Sequence, residues 1–369
     1  MSDRITVSVI SDLVTDQRVQ RECRTLERMG FQVKLIGRKS PRKLQASTFS
    51  YRVFRVWVPF KRGPWMYLSF NVSLFFYLLF SRADLLWAND LDTLLPNYLV
   101  ARLKGIKLIY DSHEYFTASV YKKSSRVLWE KLERALFPKL RNVITVNESI
   151  RTVYQEKYRV PVTVLRNVPE KLSSRKEDDP ESFPEGKKVL IIQGMGINPH
   201  RGAEEAVAAK QYLPDVYQLY FIGGGTILPR LKDMVEKLQL HSRVIFIDPL
   251  PYPKMMGYTR RCFLGLIFEK IQVSQEHLYS LPNKFFDYIH AGIPVLSSRA
   301  VEIERLIQSY GIGDFIDSFD PRVIAEKIQE IGANTSQYEI WKSHTLKAAL
   351  ELNWENEQKT LVDFMQQLS

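Results

Sequence analysis

The segment SLPNKFFDYIHAGIPVLSS, residues 280–298, contains the most specific arrangement of chemically useful side chains in the sequence. Proline is tolerated in the first turn of a helix, so Pro282 predicts a helix start that places Lys284 in that turn. Asp287 follows three residues later and is expected on the same side of the helix. A cation for phosphate and a carboxylate for sugar hydroxyls would suit a nucleotide diphosphate with its ribose. A solvated ion pair at a helix start is the competing interpretation.

Two glycine-rich segments, IIQGMGINPHRG and YFIGGGT, each follow an apolar strand. Their candidate anion-binding residues are Gly196, Arg201, Gly202, Gly223 and Gly224. Glycine lets backbone N–H groups approach an anion closely, and the positive end of a helix dipole adds to this attraction. Neither segment contains a Walker motif, and an ordinary strand-to-helix turn is the simpler interpretation of each taken alone.

The sequence contains no arrangement that is typical of a metal site. Residues 89–92, NDLD, include a D-x-D pair, but it follows a strand in the N-terminal half, away from the other candidates. The six histidines show no HExxH spacing. Cys23 and Cys262 are far apart and form no CxxC pair, so they predict neither a disulfide scaffold nor a zinc site. This use of cysteine favours a reducing cytosol.

The elements that must position these residues are strands and helices that alternate along the whole chain. ITVSVIS, DQRVQRECRTLERMG and FQVKLIG form a first strand-helix-strand unit, and similar units follow. Near residue 170, EKLSSRKEDDPESFPEGKK is polar and charged and contains proline, as is typical of a linker. A second series begins at KKVLIIQG. The 369 residues therefore predict two doubly wound α/β domains, with ligands at the carboxyl ends of the strands and an active site in the cleft between the domains.

The longest apolar run, PWMYLSFNVSLFFYLLF, covers residues 64–80. A membrane-spanning helix needs about 20 predominantly apolar residues, and this run is shorter and contains Ser69, Asn71 and Ser73. A buried or half-buried helix is expected. Basic and aromatic flanking residues keep an interfacial membrane segment open as the alternative.

The whole chain resembles GT-B glycosyltransferases of the retaining family 4 type, also known as glycosyl transferases group 1. The resembling stretches, in the order of the family, are DQRVQRECRTLERMGFQV, LIYDSHEYF, VITVNESI, VLRNVP, QGMGINPHRG, YFIGGGT, LPNKFFDYIHAGIPVLSS and NWENEQKTLVDFM. The resemblance implies two Rossmann-like domains that face a cleft. It assigns residues 1–168 to an acceptor-side domain and residues 169–350 to a nucleotide-sugar donor domain. Residues 351–369 would form a helix that crosses back to the first domain.

The resemblance also implies roles for individual residues. Arg201 and Lys284 would contact the donor diphosphate, and His113 in DSHE would contact the transferred sugar; these three are the expected catalytic residues. Asp287 stands where the family usually has a glutamate that holds the ribose hydroxyls, and the backbone of residues 248–251 would lie along the base. The expected donor-binding residues are Gly196, Gly202, Gly223, Gly224, Leu250, Pro282, Asn283 and Asp287.

Two positions depart from the family pattern. The family often has two glutamates eight positions apart, and here Tyr279 replaces the first of them. Glu276 is the nearest candidate to supply the missing carboxylate. Gly196 stands about where a second arginine of the first phosphate loop is common, and Lys284 would take over that function.

The activity that the resemblance implies is a hexosyl transfer with retention of configuration. A UDP- or GDP-linked sugar would be the donor and a glycan or lipid-linked molecule the acceptor, as in bacterial surface-polysaccharide biosynthesis. Fixed cations can stabilise the charge on the leaving phosphate, so neither cofactor nor metal is expected. Two alternatives remain: a GT-B nucleotide-sugar epimerase or hydrolase, and a non-enzymatic basic module that binds membranes. Nucleic-acid-binding motifs are absent, so no nucleic acid partner is expected.

The net charge of +11 is unevenly distributed along the chain. Residues 1–168 contain 29 Lys and Arg against 14 Asp and Glu, a net of +15, whereas the remainder contains 23 against 27, a net of −4. The basic excess therefore lies in the expected acceptor-side domain. A cytoplasmic protein is expected, with peripheral contact of this domain with the anionic inner face of the cell membrane. The contact would lie beside Lys61, Arg62 and the aromatic run that follows them.

Overall fold

The computed structural model describes residues 3–11, 13, 16–39, 49–60, 63–119, 123–171, 178–180 and 182–368. The chain divides into two compact units. The first comprises Met1–Asn167 together with Glu357–Ser369, and the second comprises Val168–Asn356. Part of the predicted linker, residues 172–177 and 181, and the predicted membrane-contact residues Lys61 and Arg62 lie outside the described residues.

The first unit is built on a seven-stranded parallel sheet with the strand order β3-β2-β1-β4-β5-β6-β7. The strands are β1 Arg4–Ser8, β2 Gln32–Arg38, β3 Arg52–Val56, β4 Leu85–Asn89, β5 Lys107–Ser112, β6 Val143–Thr145 and β7 Val162–Val164. The helices are α1 Gln17–Arg28, α2 Pro64–Phe80, α3 Leu91–Lys104, α4 Phe116–Ser119, α5 Lys123–Leu136 and α6 Glu148–Tyr158, and most of the last helix of the chain, α15 Trp354–Leu368, also belongs to this unit. The order reverses between β1 and β4, and open α/β sheets bind ligands at the carboxyl ends of strands at such a point.

The second unit is built on a six-stranded parallel sheet with the strand order β10-β9-β8-β11-β12-β13. Its strands are β8 Lys188–Gly194, β9 Tyr217–Gly223, β10 Val244–Ile247, β11 Leu264–Ile267, β12 Val295–Ser297 and β13 Gly313–Phe315. Its helices are α7 Ala203–Ala209, α8 Leu228–Lys237, α9 Tyr252–Arg261, α10 Gln275–Leu278, α11 Asn283–Ala291, α12 Val301–Tyr310, α13 Pro321–Ala333 and α14 Thr335–Glu351. Here the order reverses between β8 and β11, which is where a ligand site is expected.

Both units are doubly wound α/β structures, which confirms the predicted fold class. The central strands are buried along most of their length because helices cover both faces of a parallel sheet. All five residues of β4 and all four of β11 are buried. Helix signals in the sequence also act as predicted, since Pro282 directly precedes α11 and Gly292 ends it with φ 73°.

Two strands at sheet edges have no counterpart in the sequence prediction. Strand β3 exposes Arg52, Phe54 and Arg55, so it lacks the clean alternation that marks a half-buried strand. Strand β13 has only three residues and begins with Gly313, which packs against the backbone of Val295. Edge strands need fewer apolar side chains, and their signal in the sequence is correspondingly weak.

The apolar run of residues 64–80 forms the half-buried helix that was predicted, α2. One face is buried through Met66, Phe70, Leu74 and Leu78, which pack on α3 and on strands of the sheet. Among the described residues, none of the helices combines the length and the apolar character needed to cross a bilayer.

Candidate functional site

A charged cluster lies at the carboxyl ends of β8 and β11 in the second unit. Arg201, in the loop after β8, donates from Nη1 to Glu269 Oε1 at 2.9 Å and from Nη2 to Glu276 Oε1 at 2.8 Å. His277 Nδ1 lies 2.7 Å from the other carboxylate oxygen of Glu269. Burial opposes ionisation of Glu269, but the hydrogen bond from His277 and the charges of Arg201 and Lys284 hold its pKa below the ordinary value. The cluster therefore fixes the Arg201 guanidinium at the point where the strand order of the sheet reverses, between β8 and β11.

Lys284 lies in the first turn of α11 beside this cluster. Burial lowers the pKa of its ammonium group to about 8; Glu269 opposes this effect and Arg201 adds to it. Within the described part of the chain, the ammonium group forms no hydrogen bond or ion pair. A half-buried cation without an ion-pair partner among these residues is well suited to bind an anion.

Asp287 lies one turn further along α11 and is almost fully buried. Its Oδ2 accepts a hydrogen bond from Gln193 Nε2 at 3.0 Å, and its Oδ1 accepts one from Tyr252 at 2.8 Å. Thr259 in turn donates to Gln193 Oε1 at 2.6 Å. Asp287 thus connects α11 with β8 and α9. Each carboxylate oxygen has a second lone pair, so a role toward ribose hydroxyls stays a prediction.

The glycine-rich loops after β8 and β9 pack directly on one another. A side chain at Gly223 would meet the carbonyl of Gly194 at 2.2 Å, and one at Gly202 would meet Phe268 at 2.1 Å. A side chain at Gly224 would meet the flexible end of Met195 at 2.8 Å. Gly196 instead faces open space. Close packing therefore explains Gly202 and Gly223, whereas no packing constraint requires Gly196.

The remaining predicted donor-binding residues lie on the same edge of this sheet. Leu250 lies in the loop between β10 and α9 and is half-buried. Pro282 caps α11 and Asn283 is its first, exposed residue. The structure thus places every predicted donor-binding residue in the second unit, in loops and a helix start that follow β8, β9, β10 and β11.

His113 follows β5 in the first unit. Its Nε2 donates to Asn89 Oδ1 at 3.0 Å, and its backbone N–H donates to Asp90 Oδ1 at 2.9 Å. Its ring nitrogens lie 3.6 Å from Asp90 Oδ2 and 3.5 Å from Asp111 Oδ2. Burial would lower the pKa of the imidazole, but the two carboxylates outweigh it and raise the pKa to about 10. His113 is therefore a hydrogen-bond donor at both ring nitrogens at neutral pH.

A network of buried ion pairs includes Asp111, one of the two carboxylates beside His113. Arg18 of α1 donates to both oxygens of Asp111, at 2.9 and 3.0 Å, and to the carbonyl of Leu165 at 2.8 Å. Its Nε lies 2.9 Å from Glu22 Oε1. Burial raises the pKa of Glu22 to about 8 although Arg18 opposes this. The carboxylate of Asp111, at the carboxyl end of β5, is thus paired with an arginine of α1 and is not exposed to solvent.

Glu22, Asp111 and His113 lie close enough to be considered as metal ligands, since one ligand atom of each lies within 4.8 Å of the others. The Arg18 guanidinium already contacts both carboxylates. A metal ion there would face that positive charge, so the donor set favours a buried ion network. The expectation of a metal-free reaction stays a prediction.

Several residues of these clusters are missing from the sequence prediction. In the second unit they are Glu269 and His277, and the sequence suggests Glu276 only as a replacement for the missing glutamate. In the first unit they are Arg18, Glu22 and Asp111. The available signal was a charged residue at a strand end, as in LIFE and LIYD, or on a helix face that is otherwise apolar.

Comparison with known proteins relates the chain to sugar-transferring enzymes. Residues 16–168 match the family model described as Glycosyltransferase Family 4. No curated protein matches the sequence. Among solved structures, sucrose-phosphate synthase from Thermosynechococcus elongatus is 15% identical with a TM-score of 0.78, and the alignment covers 99% of both chains.

Two further structures show the same fold. Anabaena Alr3699/HepE, solved in complex with UDP and glucose, is 12% identical with a TM-score of 0.75 over 99% of this chain and 100% of that chain. WaaG, a glycosyltransferase involved in lipopolysaccharide biosynthesis, is 15% identical with a TM-score of 0.66 over 96% and 99%. The first unit of the chain therefore resembles Glycosyltransferase Family 4, and the likeness to these solved structures shows that the chain has the same two-sheet fold.

Proposed function

We propose that the protein transfers a hexose, with retention of configuration, from a UDP- or GDP-linked sugar to a glycan or lipid-linked acceptor. The observation that carries this proposal is the pair of cations at the carboxyl ends of β8 and β11. Arg201 is held in place by two carboxylates, and Lys284 is a half-buried ammonium group that forms no ion pair with another described residue. Such an arrangement is suited to a diphosphate.

The chemistry of sugar transfer explains why these cations are needed. When the bond between the sugar and the diphosphate breaks, negative charge develops on the leaving phosphate oxygen. Preorganised cations in a desolvated site stabilise that charge more than water does. In this proposal Arg201 and Lys284 hold the diphosphate, Asp287 contacts the ribose, and the protonated His113 donates a hydrogen bond to the transferred sugar. The leaving phosphate assists attack from its own face, so no side chain acts as a nucleophile.

The ligands and roles of structural neighbours support a nucleotide sugar as the donor and a surface glycan as the product. HepE binds UDP and UDP-glucose in solved structures, and WaaG belongs to lipopolysaccharide biosynthesis. We therefore extend the proposal to a cytoplasmic role in bacterial surface-polysaccharide assembly. The basic first unit would bring the enzyme to an anionic membrane that carries the acceptor.

Substitution of Lys284 tests the donor site. We expect Lys284→Ala to abolish sugar transfer and to remove the thermal stabilisation that UDP or GDP gives the wild type, without loss of the fold. Lys237→Ala, which removes an exposed lysine of α8, is the matched control and should behave as the wild type. Full transfer activity in Lys284→Ala would refute the proposed donor site.

The same preparation tests the alternative activity. A transferase should leave a nucleotide sugar nearly unchanged when no acceptor is present, whereas an epimerase or hydrolase would convert it. Activity that survives chelation of divalent cations would agree with the metal-free mechanism, and its loss would contradict it.

A further inference from the structure

Helix α2 is apolar on both faces. Its seventeen residues include no charged side chain. Besides the buried face, it exposes Trp65, Leu68, Val72, Phe76 and Phe80, with 46 to 81% of each side chain accessible. A helix on the surface of a water-soluble unit normally presents polar residues outward, and one that is apolar all round is normally covered. Within the described chain, this outward face lacks a cover.

The neighbouring helix continues the apolar surface. Helix α3 packs against α2, and Lys104 of α3 donates to the carbonyl of Leu78 at the end of α2 at 2.8 Å. The outward face of α3 exposes Leu95, Leu99 and Leu103, spaced one helical turn apart. Isolated exposed apolar residues are ordinary, but eight of them on two helices that pack together indicate an interaction surface.

Exposed cations lie beside this surface. Arg82 follows the end of α2, Arg102 precedes Leu103 on α3, and Arg52 and Arg55 belong to the edge strand β3. Arg52 and Arg82 also line an open groove of about 1140 Å³ beside α2, together with Trp57, Phe76 and Phe80. None of these arginines forms an ion pair with another described residue. An apolar centre with arginines and tryptophans at its border matches the layers of a membrane surface.

We infer that the outward face of α2 and α3, with the arginines around it, is a docking surface for an anionic phospholipid bilayer. This surface deepens the proposed membrane contact of the first unit and rests on it. Phe76 and Phe80 of α2 and Leu99 and Leu103 of α3 enter the acyl boundary, while Arg82 and Arg102 contact lipid phosphates. The enzyme lies on the bilayer and does not span it.

Charge favours a bilayer over a second copy of the chain. A two-fold interface between copies places the same patch opposite itself, so the bordering arginines would face arginines. An anionic bilayer instead offers phosphate groups at the border and hydrocarbon at the centre. The net charge of +15 over residues 1–168 acts in the same direction.

Sedimentation with phospholipid vesicles tests the surface. The full chain should bind vesicles of phosphatidylcholine and phosphatidylglycerol, bind pure phosphatidylcholine more weakly, and lose binding to the mixed vesicles as salt rises. Leu68→Glu/Phe76→Glu should lower the vesicle partition coefficient by at least about ten-fold. The matched control is Ile340→Glu/Leu350→Glu, which alters exposed apolar residues of α14 in the second unit and should bind as the wild type.

Tryptophan emission gives an independent readout of depth. Trp65 is 64% exposed, so its emission should shift to the blue on vesicles and be quenched by lipids brominated on the acyl chain. Trp65→Phe should lose that component, whereas the buried Trp87 should contribute nothing to it. Circular dichroism of each variant separates lost binding from lost folding.

Three outcomes would overturn the docking surface. One is a wild type that ignores anionic vesicles at low salt, and another is a Leu68→Glu/Phe76→Glu variant that binds them normally. The third is a wild-type dimer that this variant converts to monomers, since a second copy would then cover the face. Thermal stabilisation by UDP, measured in parallel, distinguishes the docking surface from the donor site. It should survive in the α2 variant and vanish in Lys284→Ala.

Discussion

Asp90 combines an unfavourable backbone conformation with a direct hold on His113. Its φ of 58° and ψ of 164° fall in a region that residues other than glycine rarely adopt, at a cost of about 1–3 kcal/mol. Its carboxylate accepts the backbone N–H of His113 and lies beside the imidazole. Backbone strain of this kind persists where surrounding contacts compensate for it. Here the strained conformation places the Asp90 carboxylate beside both the backbone N–H and the ring of His113. We regard Asp90 as a positioning residue.

Replacing Asp90 by asparagine tests this role. A pKa raised to about 10 stabilises the folded protein fully below the ordinary value near 6.5, and that contribution is lost as the pH rises through about 10. Asp90→Asn removes a negative charge, so we expect the pKa of His113 to fall by at least about one unit and the loss of stability to be largest below about pH 6.5. NMR titration measures the imidazole of His113 directly. An unchanged pKa would show that Asp111 alone sets the charge.

At the scale of the elements, the loop between β8 and α7 contains two glycines in different environments. Gly202 is closely packed, whereas Gly196 faces open space. Gly202 has φ 69°, and a side chain there would meet Phe268 Cβ at 2.1 Å and the Phe268 carbonyl oxygen at 2.7 Å. Gly202→Ala is therefore expected to destabilise the protein by about 2–4 kcal/mol. Gly196→Ala, in the same loop but facing open space, should stay within about 0.5 kcal/mol of the wild type. Urea unfolding measures both, and equal effects would contradict the packing argument.

Signals in the sequence predicted elements well where local chemistry decides the structure. Pro282 and Gly292 mark both ends of α11 because their backbone preferences act without tertiary help. The sequence does not predict the edge strand β3, because this strand is held by backbone pairing with β2 and Arg52 and Arg55 contribute no apolar burial. The hydrogen bonds of Asp287 to Gln193 and Tyr252 join residues far apart in sequence, and no local pattern encodes them.

At the scale of the whole molecule, the amino-acid composition shows that the basic excess lies in residues 1–168, but it does not show which part of the protein surface carries these charges. The net charge of +15 is a property of residues 1–168, and it would be the same if those residues were scattered. Only the packing of α2 on α3 shows that the apolar side chains on one side of the run at residues 64–80 face outward. Similarly, candidate donor-binding residues could be proposed from loop sequences, whereas the ion pair of Arg18 with Asp111 joins α1 to β5 and becomes visible only in the folded sheet.

The last helix ties the end of the chain to its beginning, and this makes the first unit depend on residues that are distant in sequence. Residues Glu357–Ser369 belong to the first unit, where Glu357 accepts a hydrogen bond from the backbone of Arg166 at 2.7 Å. Leu361 of α15 is 1% exposed. Leu361→Ala should therefore cost about 2–5 kcal/mol, while Leu350→Ala, on an exposed face of α14, should cost almost nothing. Hydrogen exchange should accelerate in β1–β7 of Leu361→Ala and stay unchanged in β8–β13, because Leu361 belongs to the first unit. Equal acceleration in both sheets would instead mean that the two units share one cooperative unfolding transition.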